Sequence, residues 1–219
     1  MAKIYLAIPK NKKYLREIRT DEYSIGVMPL KSLPFSFRPS ELVSENETIE
    51  RDIDDICLDE IKQSCLAFAR NKLLDYLASS EKTRYDCIDF LKRYQIPENQ
   101  IQDLIQWAEE KKYLSDERYT EMFIEENLLS CKSPEEIRFK LRQKKINSAV
   151  IDNKIKELYT PELKTEMLEQ LIDKLVSYHI SAGDKKCYEK CAATLYRKGF
   201  RYDDFSRILY NRIHKSLDE

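Results

Sequence analysis

Apolar residues recur at helical spacing along most of the chain, and one arrangement of them occurs three times. The segments are FLKRYQIPENQIQDLI, KLRQKKINSAVIDNKI and TLYRKGFRYDDFSRIL. Each has a leucine near the end of one amphipathic stretch, a short polar interruption, and then apolar residues spaced four apart. The pattern predicts a helix, a tight turn and a second helix in each segment.

The three segments align on Leu91, Leu141 and Leu195, with offsets of 50 and 54 residues. The other aligned apolar positions are Cys87, Ile137 and Cys191, then Ile96, Ile146 and Phe200, then Ile101, Ile151 and Phe205, and finally Ile105, Ile155 and Leu209. A further helix is predicted before each segment, at roughly 58–78, 116–129 and 162–180. A repeat of this length indicates three-helix units that stack and bury each other's apolar faces.

The first 56 residues have a different pattern. KIYLAI and YLREIR…EYSIGV alternate in part between apolar and polar residues, which predicts two short strands with a turn at Thr20, Asp21 and Glu22. The proline-rich stretch MPLKSLPFSFRPS cannot sustain a helix. We interpret the acidic stretch ELVSENETIERDIDDICLDE that follows as a solvated linker and helix start. The alternative for this N-terminal region is a flexible arm that contacts a partner.

The predicted fold class is therefore all-α, with three tandem three-helix repeats in an elongated curved stack and a short β-containing N-terminal extension. The predicted boundaries are 1–56 for the extension with its acidic linker, 57–113 for repeat one, 114–160 for repeat two and 161–219 for repeat three.

Capping residues mark the predicted helix ends. Ser133-Pro134 and Thr160-Pro161 each place an N-cap hydroxyl before a proline at the first helical position. Gly199 suits a left-handed residue at the end of a helix. Gln95 and Lys145 occupy the matching positions. If the three turns are alike, those two residues adopt a conformation that costs a non-glycine residue about 1 kcal/mol or more.

Composition excludes several classes of protein. The net charge is −1 although 35% of the residues are charged, so overall charge favours neither nucleic acid nor an acidic surface as a partner. The apolar runs are too short for a signal peptide or a membrane span, which predicts a soluble, cytoplasmic protein that contacts no membrane.

Six cysteines are present without a Cys-x-x-Cys pair, and we expect buried thiols in a reducing cytosol. A zinc site from Cys187, Cys191 and the two histidines is the alternative, but it has no established ligand spacing. The sequence also lacks a glycine-rich phosphate loop, a Gly-x-Ser-x-Gly elbow and a His-Glu-x-x-His pair. We therefore predict no catalytic residues, no metal and no cofactor, and the protein is not expected to be an enzyme.

The candidate binding residues are basic and follow the repeat. In repeat two, Arg138, Arg142 and Lys145 fall on one helical stripe, which repeats one and three lack. Further basic candidates are Lys140 and Lys144 on the same helix, Arg118 on the preceding helix, and Arg197, Lys198 and Arg201 at the turn of repeat three. The stripe favours an electropositive surface for phosphates or an acidic protein groove. The alternative is a solvated helix with ordinary ion-pair partners such as Glu135.

The residues resemble a known family. The segments ARNKLLDYLASSEKTRYDCIDFLKRYQI, LSDERYTEMFIEENLLSCKSPEEIRFKLRQKKI and LYRKGFRYDDFSRIL are similar to the RecX family of recombination regulators. The positions that fall on the family pattern are Asp116, Arg118, Tyr119, Phe123, Ile124, Pro134, Ile137, Leu141 and Ile146. The resemblance covers about residues 58–213.

The resemblance implies a modulator that binds RecA filaments on single-stranded DNA.

 The implied action is inhibition of the RecA ATPase, of filament extension and of strand exchange, by a monomer that lies along the filament groove. Two other functions stay open at this point. One is a nucleic-acid-binding protein that acts alone, and the other is a helical scaffold for a different protein partner.

Overall fold

A computed structural model describes residues 1–9, 12–33 and 48–218 of the chain, with side chains described as far as residue 215. The strands in this part are β1 (Ala2–Ala7), β2 (Leu15–Arg19), β3 (Ser24–Pro29) and β4 (Thr48–Ile53). The helices in it are α1 (Asp55–Ser79), α2 (Arg84–Arg93), α3 (Glu98–Glu110), α4 (Asp116–Leu129), α5 (Pro134–Gln143), α6 (Ser148–Leu158), α7 (Pro161–Ser181), α8 (Cys187–Arg197) and α9 (Tyr202–Asp218). The chain forms two compact units, Met1–Ser115 and Asp116–Glu219.

The strands form one antiparallel sheet in the order β3-β2-β1-β4. The first three strands follow the alternating segments KIYLAI and YLREIR…EYSIGV, but they number three where two were predicted, and the turn at Thr20–Glu22 joins β2 to β3. β4 was not predicted, because it lies within the acidic stretch that we interpreted as a linker. It pairs with β1 along its whole length, from Ala7 opposite Thr48 to Ala2 opposite Ile53. An edge strand tolerates exposed charges, so its acidic composition concealed it.

The sheet and α1 share a core in the first unit. Ile4, Leu6 and Ile18 of the sheet pack with Ile61 and Cys65 of α1. β3 approaches α1 closely at Gly26, where an added Cβ would lie 3.0 Å from Cys65 Cβ. The side-chain amide of Gln100 on α3 also donates a hydrogen bond to the carbonyl oxygen of Ile25. The N-terminal strands are thus packed on the first repeat.

The repeated helices confirm the apolar pattern. The helices predicted at roughly 58–78, 116–129 and 162–180 are α1, α4 and α7, and each is followed by two shorter helices. In the second unit, the aligned apolar residues of repeats two and three belong to one buried cluster, which includes Ile137, Leu141, Cys191, Leu195 and Phe205. The prediction of a helical chain with a short β-containing extension is therefore confirmed.

The three predicted turns have the same backbone geometry. Gln95, Lys145 and Gly199 all have positive φ, at 59°, 61° and 88°. The hydrogen bonds also match: Ile96, Ile146 and Phe200 donate their backbone N–H to the carbonyls of Leu91, Leu141 and Leu195, over 3.4, 3.4 and 3.2 Å. This bond, together with one from the left-handed residue, is the Schellman motif that ends many helices. The expected strained conformation of Gln95 and Lys145 is confirmed.

Gly199 has a second reason to be glycine. A Cβ added there would lie 2.5 Å from Ser133 Oγ and 2.8 Å from Glu136 Cβ, closer than such atoms approach each other in proteins. The turn of repeat three therefore packs directly against the start of α5. Steric contact, as well as backbone conformation, selects glycine at this one of the three turns.

Candidate interaction surface

The orientation of α5 follows from its cap and its apolar residues. Ser133 is the N-cap, and its hydroxyl accepts a hydrogen bond of 3.1 Å from the backbone N–H of Glu136. Pro134 occupies the first helical position, as predicted. Ile137 and Leu141 are fully buried, one turn apart. These contacts fix which side of α5 faces away from the core.

Two of the predicted basic residues on α5, one of them from the stripe, are paired within their own repeat. Arg138 Nε lies 3.0 Å from Asp152 Oδ1 on α6, and Arg138 Nη1 lies 3.7 Å from Glu135 Oε1. Lys140 Nζ lies 3.4 Å from Glu136 Oε1. Both basic side chains are half-buried. The alternative interpretation, a helix with ordinary ion-pair partners, describes these two residues.

Arg142 and Lys145 differ from them. Both are exposed, and within the described part of the chain neither side chain takes part in an ion pair. Lys144 is half-buried at the C-cap of α5, and Arg118 is exposed near the start of α4. The exposed positive charge of α5 is therefore concentrated at the end of the helix.

Phe139 is a candidate that the sequence analysis missed. It is 59% exposed, although phenylalanine usually lies in the core. It precedes Arg142 by three residues, so the two side chains are neighbours on the helix surface. The signal was present in the sequence, because Phe139 lies two residues from both Ile137 and Leu141 and hence on the opposite side of the helix. An aromatic residue beside an arginine is the composition typical of binding hot spots.

The predicted basic group of repeat three is partly structural. Lys198 Nζ donates a hydrogen bond of 2.6 Å to the carbonyl oxygen of Ser130, so it fastens the turn to the loop after α4. Arg197 and Arg201 are exposed. Tyr196 and Tyr202 flank the group, as the sequence indicated, and both are also exposed.

The cysteines and histidines do not form a metal cluster among the residues that the structure describes. The six cysteines, all within the described residues, form no disulfide, and Cys65, Cys87 and Cys191 are buried. Burial raises the pKa of Cys65 to about 12. In the described ranges, no three His, Cys, Asp or Glu side chains converge as a metal site would require. None of the helices described is both long and apolar enough to cross a membrane.

Comparison with known proteins connects the repeat to a family. Residues 115–154 match the family model for the second three-helix domain of RecX. A regulatory protein RecX of Streptococcus pneumoniae (strain Hungary19A-6) is 28% identical over 154 residues, which span 70% of this chain and 58% of that protein. A regulatory protein RecX of Streptococcus pyogenes serotype M4 (strain MGAS10750) is 26% identical over 196 residues, 89% of this chain and 70% of that protein.

Two solved structures have a similar fold. A crystal structure of regulatory protein RecX superimposes on this chain with a TM-score of 0.60 at 24% sequence identity. The match covers 95% of this chain and 98% of the RecX chain. The structure of RecX from Lactobacillus salivarius gives a TM-score of 0.59 at 25% identity and covers 67% of this chain and 96% of its own.

The protein is a helical-repeat protein with a small sheet, because its helices end in recurring Schellman turns and its strands form one antiparallel sheet. Over most of its length the chain is similar to the regulatory proteins named RecX, and its middle repeat matches the family model of their second three-helix domain.

Proposed function

We propose that this protein regulates the RecA recombinase by binding RecA filaments on single-stranded DNA. Binding inhibits the RecA ATPase, filament extension and strand exchange. The observation that carries the proposal is that the family match at residues 115–154 includes α5, which exposes Phe139 beside Arg142.

The α5 surface has the chemistry of a protein interface. Phe139 offers apolar area that leaves water on binding, and Arg142 can form a bidentate pair with a carboxylate. Lys145 adds positive charge at the end of the same helix. An acidic groove on a filament would complement this charge and speed the encounter.

Such a regulator acts through binding alone. A ligand shifts an equilibrium when it binds one conformation more tightly than another. A protein that prefers the inhibited state of the filament therefore lowers ATP hydrolysis without a catalytic group or a cofactor. We propose that it acts as a monomer in the cytoplasm, and that the repeat boundaries are 57–113, 114–160 and 161–219.

Cosedimentation tests the proposal. RecA is assembled on circular single-stranded DNA with a slowly hydrolysed ATP analogue, and the purified protein is added at equimolar concentration. The proposal expects the protein to pellet with the filaments in excess of its pelleting with DNA alone. Equal pelleting with and without RecA would contradict it.

A further inference from the structure

Two positions face each other across each Schellman turn, and they differ between the repeats. In repeat one they hold Lys92 and Glu98, whose Nζ and Oε2 atoms lie 3.0 Å apart. The equivalent residues of repeat three are Tyr196 and Tyr202, by the alignment on Leu91 and Leu195. Because the turns share their backbone hydrogen bonds, the same two positions are brought together in both. The turn of repeat three therefore presents a pair of tyrosines.

Phe205 holds both tyrosine rings in place. The Tyr196 ring lies 5.2 Å from the Phe205 ring, centroid to centroid, and the Tyr202 ring lies 5.9 Å from it. Both contacts are edge-to-face, and Phe205 itself is fully buried. Tyr196 and Tyr202 are nevertheless 52% and 54% exposed. Two anchored aromatic rings thus keep about half of their surface in water.

An arginine adjoins each tyrosine. Arg197 follows Tyr196, Arg201 precedes Tyr202, and both arginines are exposed. Arg197 donates one hydrogen bond, from Nη2 to Thr194 Oγ1, at 3.0 Å. Its remaining N–H groups are left to bind a ligand. No ion pair found in the described part of the chain includes either guanidinium group.

The acidic residues beside the turn leave one uncompensated carboxylate. Asp204 is already engaged, because its Oδ1 lies 2.7 Å from Lys164 Nζ and its Oδ2 accepts the backbone N–H of Arg201 at 2.9 Å. Asp203 is exposed, and its negative charge would repel an anionic ligand. The surface formed by Tyr196, Arg197, Arg201 and Tyr202, which we name the tyrosine clasp, is positive on balance.

We infer that the tyrosine clasp binds a single-stranded polynucleotide directly, with bases stacked on Tyr196 and Tyr202 and phosphates paired with Arg197 and Arg201. Exposed aromatic rings stack on any base, and nearby cations follow the backbone. An acidic peptide would satisfy the arginines but would leave the two ring faces without a matching group. The inference adds a second contact to the proposed function and requires no RecA.

Fluorescence anisotropy with the full chain and a labelled oligothymidylate, in the absence of RecA, tests the inference. The double variant Tyr196→Ala/Tyr202→Ala should bind at least tenfold more weakly, because base stacking on an aromatic side chain is worth roughly 1–3 kcal/mol per base. Tyr196→Phe/Tyr202→Phe keeps the rings and should bind like the wild type. The control is Tyr178→Ala/Tyr210→Ala, which removes two other exposed tyrosines, and it should also bind like the wild type. Circular dichroism establishes that each variant is folded.

Two further comparisons separate stacking from charge. An abasic oligonucleotide of equal length should bind more weakly than oligothymidylate to the wild type, and Asp203→Asn should tighten binding of both. Arg197→Gln/Arg201→Gln should reduce the salt dependence by about two phosphate contacts.

Several outcomes would overturn the inference. The first is that the wild type and the alanine double variant bind oligothymidylate with equal affinity. The second is that the wild type binds the abasic strand as tightly as oligothymidylate. The third is that it binds an acidic peptide more tightly than the oligonucleotide. Because RecA is absent from this assay, its failure leaves the cosedimentation result unaffected, and the reverse also holds.

Discussion

The backbone N–H of Ser133 donates a hydrogen bond of 2.9 Å to the carbonyl oxygen of Lys198. This bond joins the N-cap of α5 to the turn after α8, two segments that lie more than 60 residues apart in the sequence. The Lys198 side chain reinforces it through the carbonyl of Ser130. The α5 surface and the tyrosine clasp are therefore held by the same backbone contact within the second unit.

Gly199→Ala should destabilise the protein by at least about 2 kcal/mol, because it combines a left-handed conformation with a steric clash. The clash is with Ser133 and Glu136 at the start of α5. Gly183→Ala is the matched control, since Gly183 also has positive φ but nothing lies within 4 Å of its added Cβ. Urea denaturation should show a clearly larger loss for Gly199→Ala, and equal losses would refute the steric role of this contact.

Glycine at the other two turns should have the opposite effect. Lys145→Gly and Gln95→Gly relieve the left-handed conformation and should each raise the free energy of unfolding by roughly 0.5–1 kcal/mol. Glu125→Gly, at an exposed position inside α4, should instead lower it by about 1 kcal/mol. Thermal denaturation of the three variants checks the signs, and a loss at Lys145 would show that its side chain stabilises the fold.

The Lys164–Asp204 pair should make the second unit sensitive to acid. Burial alone would raise the pKa of Asp204, but hydrogen bonds from Lys164 and from the Arg201 backbone outweigh it and lower that pKa. A lowered pKa in the folded state stabilises the protein above the pKa of the unfolded chain, about 4, and this stabilisation is lost as the pH falls through the folded value.

Asp204→Asn should therefore cost about 1.5–3 kcal/mol at pH 7, the range for hydrogen bonds to charged groups. The difference from wild type should shrink steadily below pH 4 or so. Asp203→Asn, at an exposed neighbouring position, should change stability by less than about 0.5 kcal/mol. Urea titrations at several pH values measure all three proteins, and a penalty for Asp204→Asn that is independent of pH would exclude the charged pair as its cause.

The thiols should react in two groups. Cys57, Cys131 and Cys187 are half-buried, whereas Cys65, Cys87 and Cys191 are buried. Burial, with a smaller effect of Cys187, raises the pKa of Cys191 to about 12, so its reactive thiolate is scarce at neutral pH. An aromatic disulfide reagent at pH 8 should label the buried three only when the protein unfolds. Rapid labelling of all six thiols would contradict the packing described.

The exposed end of α5 should matter for filament binding more than its paired residues. Arg142→Gln or Phe139→Ala should weaken binding to RecA filaments about tenfold or more, as expected for hot-spot residues. Arg138→Gln should have less effect, since Asp152 already pairs with Arg138.

Lys92→Gln is the control for that experiment, because Lys92 holds the same turn position in repeat one. It should bind as the wild type does. Cosedimentation over a range of protein concentrations gives the affinities. If the control loses as much affinity as Arg142→Gln, the binding surface does not lie on α5.

The features predicted from the sequence are those that local spacing determines. The apolar residues around Leu91, Leu141 and Leu195 identified the repeats, and the positions of Gln95 and Lys145 identified the left-handed turns. What was missed depends on distant pairing. β4 is a strand because it pairs with β1, which is distant in the sequence. Neither the composition of β4 nor the alternation of its residues indicates a strand.

Pairing between separate elements also limited the prediction of the candidate interaction surface on α5. The predicted basic residues of α5 lie on one helix, but Arg138 is paired with Asp152, a residue on the next helix, and helical spacing within α5 gives no sign of that pair. Phe139, in contrast, could have been found, because its position opposite Ile137 and Leu141 is visible from the spacing alone. The hydrogen bond between Ser133 and Lys198 could not be predicted from the sequence. The one local indication of close packing there is Gly199, which follows Lys198.

The deciding measurement for regulation of RecA is the rate of ATP hydrolysis by RecA on single-stranded DNA, with and without this protein. The rate is measured at two salt concentrations, with saturating DNA so that masking of the DNA cannot explain a loss. We predict inhibition at equimolar protein, and weaker inhibition by Arg142→Gln than by the wild type or Lys92→Gln. An unchanged rate at equimolar wild-type protein, under conditions where the protein is folded, would contradict this prediction.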